Sequence, residues 1–145
     1  MADGTITVTI DTNEWKYPDA SGVTHTVTNG QTFTLASTDT GTGGIYKPTP
    51  GGSVSCTDGS RLEFIADNLH SYVTAAGDTA VTNDNNSLGD WLIRCTADGK
   101  ITRWKCSGLD VDDADSVDEF TSARFEAVDD PTRVFTWTSV TAVFA

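Results

Sequence analysis

The amino-acid sequence predicts an all-β protein: a single-domain antiparallel β-sandwich or barrel over residues 1–145, with long Gly/Pro/Thr-rich loops. Three observations carry this expectation. Short runs alternate apolar and polar residues, the two-residue period of a half-buried strand. Turn-forming dipeptides separate those runs. Hydrophobic residues make up 37% of the chain and include four Trp and six Phe, enough for a core without covalent staples.

The first strand is TITVTI, with Ile6, Val8 and Ile10 on one face and three threonines on the other. Val23–Thr28 and Gln31–Ala36 repeat the pattern around Asn29-Gly30. A three-residue loop Thr28-Asn29-Gly30, with Gly30 left-handed, would set Val23 opposite Leu35 and His25 opposite Phe33. That register makes His25 a packed sheet residue. Residues 37–60 are rich in Gly, Pro, Ser and Thr and read as an extended loop or arm within the domain. Arg61–Val73 is ambiguous and could hold helical turns, and Gly77–Asp90 reads as a second polar loop. Next, a two-residue Asp98-Gly99 turn would pair Trp91 with Cys106, Ile93 with Trp104 and Cys95 with Thr102. Trp91, Ile93, Cys95, Trp104 and Cys106 would then share the core face. Leu92, Arg94, Arg103 and Lys105 would point outward, with Arg94 and Arg103 directly opposed. A final hairpin runs from Phe120 to Val128, turns at Asp129-Asp130-Pro131-Thr132, and returns through RVFTWTSVTAVFA.

Charge narrows the function. The net charge is −12, which disfavours phosphate backbones and anionic lipid as partners, so neither nucleic acid nor membrane is expected. The opening residues MADGTITVTI show no basic segment followed by an apolar run, and no stretch approaches the roughly 20 apolar residues of a membrane span. The three cysteines are an odd number and read as reduced thiols. In the register above, Cys95 and Cys106 are not cross-strand partners.

No motif fixes an enzymatic activity, and no cofactor is expected. GTGG at residues 41–44 lacks the Lys of a phosphate loop. No Ser/His/Asp set stands out, and the thiols lack zinc-type spacing to either histidine. Six acids crowd into Asp110–Glu119. Counted from Asp110 as a calcium loop, the sixth position is Asp115 rather than Gly and the twelfth is Thr121 rather than Glu, so both the turn and the bidentate ligand are missing. The run follows directly on the hairpin carrying Arg94, Lys100, Arg103 and Lys105. It reads as an electrostatic contact surface, folding back on that hairpin or engaging a neighbour's.

The start on a strand, the Thr/Gly/Asp-rich composition, the GTGGIYKPTPGG loop and the few lysines resemble the small β-rich virion proteins of tailed bacteriophages. DGKITRWKCSGLDVDD followed by TSARFEAV is similar to the late hairpin of tail-tube proteins. The resemblance implies a non-enzymatic structural protein of the virion, foremost a capsid decoration (cement) protein that binds and stabilises the shell. A tail-tube protein is the alternative within that class. Its partners would be other virion proteins, capsid or tail subunits, and further copies of itself. The expected contact residues are Ile45 and Tyr46 on the arm, Arg94, Arg103 and Lys105 on the hairpin, and Asp110, Asp112, Asp113 and Asp115. On this reading the arm can be deleted from Gly43 to Gly52 without unfolding the domain. A carbohydrate-binding module, with Trp15, Tyr17 or Tyr46 as stacking platforms, is the alternative from another class.

Overall fold

A computed structural model describes residues 5–10, 15–37, 46–65, 71–73, 79–81, 90–107, 122–138 and 140–144. Among the described residues there is no helix, and the all-β expectation holds. The strands are β1 (Thr5–Ile10), β2 (Lys16–Pro18), β3 (Thr24–Thr26), β4 (Thr32–Ser37), β5 (Tyr46–Pro48), β6 (Ser53–Ser55), β7 (Arg61–Phe64), β8 (Ser71–Val73), β9 (Thr79–Val81), β10 (Asp90–Cys95), β11 (Ile101–Ser107), β12 (Ser122–Ala127), β13 (Asp130–Thr138) and β14 (Val140–Phe144).

Two antiparallel sheets hold the core between them. One has the order β14-β1-β4-β5 and the other β13-β12-β11-β10-β7-β6; β2-β3 and β8-β9 are two-stranded ribbons. Val8, Ile10, Phe33 and Leu35 from the smaller sheet meet Phe64, Trp91, Ile93, Trp104, Phe125 and Phe135 from the larger one in a single buried cluster. Phe33 touches Phe64 at a centroid distance of 5.0 Å, and Phe125 stacks on Phe135 at 4.5 Å. The sheets are not closed into a barrel. The chain instead crosses between them at both edges, from β5 to β6 and from β13 to β14.

The ribbon β2-β3 lies between the two edges of the larger sheet. On the β6 side, Val27 bridges Cys56. On the β13 side, Arg133 Nη2 donates to the Pro18 carbonyl at 2.9 Å. This placement overturns the β3–β4 hairpin expected around Asn29-Gly30: His25 pairs with Tyr17, not Phe33, and Val23 is 53% exposed. Gly30 is left-handed as anticipated (φ 89°), but its N–H donates to the Ile10 carbonyl, and β4 goes to β1. A strand with two candidate neighbours takes the one that buries more, and Phe33 and Leu35 bury against the other sheet.

In the β10–β11 hairpin the faces are as expected and the partners are not. Trp91 pairs with Trp104, Ile93 with Thr102, and Arg94 with Ile101. Asp98 Oδ1 accepts the Lys100 N–H at 3.0 Å and Gly99 is left-handed (φ 72°), so residues 96–99 form the loop. The register is displaced by two, and since side chains alternate with period two, the core face survives. Arg94 and Arg103 are consequently not opposed. Leu92 is on the outer face as expected, and is buried there against Ile101 and Ile65.

The expected arm contains two short strands. Tyr46–Pro48 pairs with β4 and Ser53–Ser55 with β7, while residues 38–45 lie outside the described residues. Between the two strands, Thr49 N–H donates to the Thr34 carbonyl, and Gly51 N–H and the Gly52 carbonyl both bond to Phe64. Pro48-Thr49-Pro50-Gly51-Gly52 is thus a corner tied to both sheets. Gly51 has φ 88°, and a Cβ on Gly52 would stand 3.3 Å from the Thr49 carbonyl, which is why this corner uses glycines. The ambiguous stretch 61–73 holds β7 and β8, and the polar loop 77–90 includes β9. In the last hairpin Phe125 pairs with Phe135, and a bulge between Glu126 and Ala127 shifts the turn to Val128-Asp129. The chain then leaves the larger sheet, and β14 pairs with β1.

Candidate functional site

Two regions concentrate polar chemistry. The first is a buried cluster where the β2-β3 ribbon, the β6–β7 turn and the end of β10 meet. His25 and Asp19 are both 2% exposed, and His25 Nε2 lies 2.7 Å from Asp19 Oδ2. On the other side of the ring, Nδ1 lies 2.6 Å from Asp58 Oδ2. Both carboxylates can only accept, so both ring nitrogens carry protons and the ring is an imidazolium. Burial disfavours that charge, but the hydrogen bonds to Asp19 and Asp58 outweigh it and hold the His25 pKa above its ordinary value.

Each carboxylate is oriented by its own turn. Asp19 Oδ1 accepts the backbone N–H of Ser21 (2.9 Å) and Val23 (2.8 Å). Burial works against the Asp19 charge, and the bonds from His25, Val23 and Ser21 overcome it and lower the pKa. Asp58 Oδ1 accepts the Ser60 hydroxyl and N–H, and these bonds, followed by that from His25, hold its carboxyl well below the usual range. Cys95 completes the group. Its Sγ, an Asp19 oxygen and a His25 nitrogen all lie within 4.8 Å of one another, and all three residues are buried. Burial raises the Cys95 pKa, while the Ala97 and Asp98 backbone N–H groups at the sulfur favour the thiolate. Among the described residues the three cysteines are free, and burial pushes the Cys56 thiol up to about 11.

Ser60 Oγ also lies 3.2 Å from His25 Nδ1, so hydroxyl, imidazole and the Asp19 carboxylate stand in line. Asp58 changes the chemistry. It accepts the hydrogen bond of the Ser60 hydroxyl at 2.5 Å and faces the same Nδ1. A protonated Nδ1 cannot receive a proton from serine, so this arrangement does not activate Ser60 as a nucleophile.

The second region is the outward face of the six-stranded sheet, with Arg61, Glu63, Arg94, Arg103, Lys105, Arg124 and Glu126. Arg61 and Arg94 share Glu63 at 3.2 and 3.7 Å, and Arg124 lies 3.7 Å from Glu126. Lys105 is exposed and stands in register between Asp90 and Glu126. Arg103 stands opposite Leu92. Among the described side chains, five cations thus share this face with Glu63 and Glu126, in a chain of net charge −12. The sheet brings together three of the expected contact residues, Arg94, Arg103 and Lys105. Tyr46 lies on β5 at the edge of the other sheet. Ile45 and the whole run Asp110, Asp112, Asp113 and Asp115 lie outside the described residues.

Trp15 and Tyr17, expected as sugar-stacking platforms, are each 1% exposed. Their rings pack on Phe33, Trp104 and Phe135 in the core and offer no surface to a sugar. The Asp–His–Asp cluster, with Asp19 and His25 buried and Asp58 exposed, was not anticipated. Its one signal in the sequence is a pair of turn motifs, Asp19-Ala20-Ser21-Gly22 and Asp58-Gly59-Ser60, on either side of His25. No protein-family model matches the chain, and neither the curated proteins nor the solved structures contain a match.

Proposed function

We propose that the protein is a non-enzymatic structural protein of a bacteriophage virion, of the capsid-decoration type, adhering through the outer face of its six-stranded sheet. The observation supporting this reading is the cationic stripe Arg61, Arg94, Arg103, Lys105 and Arg124 within a strongly acidic chain. A net-acidic protein that packs against copies of itself or an acidic shell needs local complementarity to offset like-charge repulsion. The acidic run supplies it. That run joins β11 to β12, so its ends are fixed at Ser107 and Ser122, at the end of the sheet where Lys105 and Arg124 stand. Exposed pairs contribute only about 0–1 kcal/mol each, so the charges set orientation and on-rate more than affinity.

Mass spectrometry of purified virions should find the chain in stoichiometric amounts, and capsids stripped of it should rebind it. Arg103→Glu with Lys105→Glu should weaken rebinding and raise its salt sensitivity. Asp112→Lys with Asp113→Lys should restore part of the loss. Absence from virions, or rebinding indifferent to both charge reversal and salt, removes the proposal.

A further inference from the structure

We propose that Asp19, His25 and Cys95 form a binding site for one divalent metal ion, with Zn²⁺ the best match to the ligand set. A thiolate, an imidazole nitrogen and a carboxylate oxygen are the ligands zinc takes, whereas calcium and magnesium require oxygen alone. The three donor atoms come from three separate elements, the β2–β3 turn, β3 and the end of β10, and already lie within 4.8 Å of one another.

Each donor also has the outer partner that a metal site needs. Asp58 faces His25 Nδ1 at 2.6 Å, leaving Nε2 for the ion. The Ser21 and Val23 N–H groups occupy Asp19 Oδ1, leaving Oδ2. The Ala97 and Asp98 N–H groups bond to the Cys95 sulfur and favour its anionic form, against the burial and the Asp98 and Asp19 charges that hold the thiol's pKa up until a cation arrives. A single ion pair would require none of the thiol's part in this arrangement.

The exchange balances. The ion enters with two positive charges; one proton leaves His25 Nε2 and one leaves Cys95 Sγ, so the buried charge is unchanged. Metal–ligand bonds of about 2.0–2.3 Å place neighbouring donors roughly 3.3–3.5 Å apart. His25 and Asp19, now 2.7 Å apart, must separate by about half an ångström, and the sulfur must draw in. Asp19 opens a turn exposed from Ser21 to Thr24, which supplies both that movement and the entry path. A fourth position remains for water.

Chelator-stripped full-length protein titrated with Co²⁺ should bind one ion per chain. It should develop a near-ultraviolet thiolate-to-metal band and tetrahedral visible bands, and Zn²⁺ should displace the cobalt. Cys95→Ser should abolish the charge-transfer band, Cys56→Ser should leave it intact, and Asp58→Asn should keep the band while weakening affinity about 10–100-fold. If Cys95→Ser fails to fold, nitrogen NMR of the wild-type imidazole decides, because Zn²⁺ must shift His25 Nε2. No saturable uptake by the folded wild type, a band that survives Cys95→Ser, a band lost in Cys56→Ser, or an unmoved Nε2 resonance each overturns the proposal.

Discussion

The hydroxyl of Tyr17 joins the β2-β3 ribbon to the centre of the larger sheet, and deleting that one oxygen measures the join. Tyr17 Oη accepts the Trp104 Nε1–H at 3.0 Å, and both residues are buried. The phenol is also bonded to Thr102, whose Oγ1 accepts from Arg133 Nη2 at 3.0 Å. Burial, partly countered by these bonds, keeps the Tyr17 hydroxyl protonated far beyond the ordinary phenol range. Tyr17→Phe leaves the ring, so the contacts to Trp104 (5.3 Å) and Phe135 (5.6 Å) persist and no cavity opens. What remains is a buried indole N–H without an acceptor, which costs about 1–3 kcal/mol. Tyr17→Ala adds the cavity and should cost about 3–5 kcal/mol, as large aromatic truncations do. Urea unfolding followed by tryptophan fluorescence should show a lower midpoint for Tyr17→Phe at constant slope. The melting temperature should fall by roughly 2–4 °C per kcal/mol for a chain of this size. Thr102→Val should couple to Tyr17→Phe by at least about 0.5 kcal/mol in a double-mutant cycle. A Tyr17→Phe protein as stable as wild type, or strictly additive variants, would show that this relay does not hold the ribbon.

Two further predictions concern the fold. His25 titrates above 6.5 in the folded protein, so its contribution is fully present below that value and lost as pH rises through the folded pKa; Asp19 and Asp58 titrate below 3.8, so theirs is present above that value and lost as pH falls. Metal-free protein should therefore show its highest urea midpoint on a mildly acidic plateau. His25→Gln should flatten the decline between pH 6.5 and 9, leaving the later loss that the raised Cys56 and Cys95 thiols cause, and a limb unchanged in that window would refute the assignment. Deleting residues 46–52 should unfold the protein, since it removes β5 and the corner bonded to Thr34 and Phe64; a natively folded deletion variant by circular dichroism would restore the arm reading.

What was legible in the sequence was the period; what was not was the partner. Alternation placed Trp91, Ile93, Cys95 and Trp104 on one face, and they are buried together although every cross-strand pair was displaced by two. Side-chain alternation is blind to a shift of two, and Asp98-Gly99 suits a four-residue loop as well as a two-residue one. The Gly30 turn was identified by its left-handed residue, yet the choice between β3 and β1 as neighbour of β4 is made by burial across the molecule. Gly and Pro between Tyr46 and Ser53 suggested mobility, but glycine also serves where a backbone must turn tightly against two sheets. The His25 cluster was least visible, because Asp19, Asp58 and Cys95 come from three elements that only the fold brings together.

The way the larger sheet is finished bears on how the protein can adhere. Exposed strand edges invite other strands, and here the β6 edge is occupied. Gln31 uses its side-chain amide as a strand would: Nε2 donates to the Ser55 carbonyl at 2.6 Å while Oε1 accepts the Ser55 N–H at 2.7 Å. Thr28 N–H reaches the same carbonyl and Thr57 N–H reaches Thr26, so the chain around Val27 covers the rest. At the opposite edge the ribbon packs on β13, held by Arg133 to Pro18, with the guanidinium over the Trp104 ring at 5.1 Å. Strand addition along this sheet would have to displace a side-chain amide at one edge and a guanidinium at the other. The outward face carries no such obstruction at Lys105, an exposed cation in register with Asp90 and Glu126 that can receive an incoming anion. For the proposed adhesion through this sheet, its face is therefore the route that its backbone hydrogen bonding leaves open, and the Lys105 charge reversal tests that route directly.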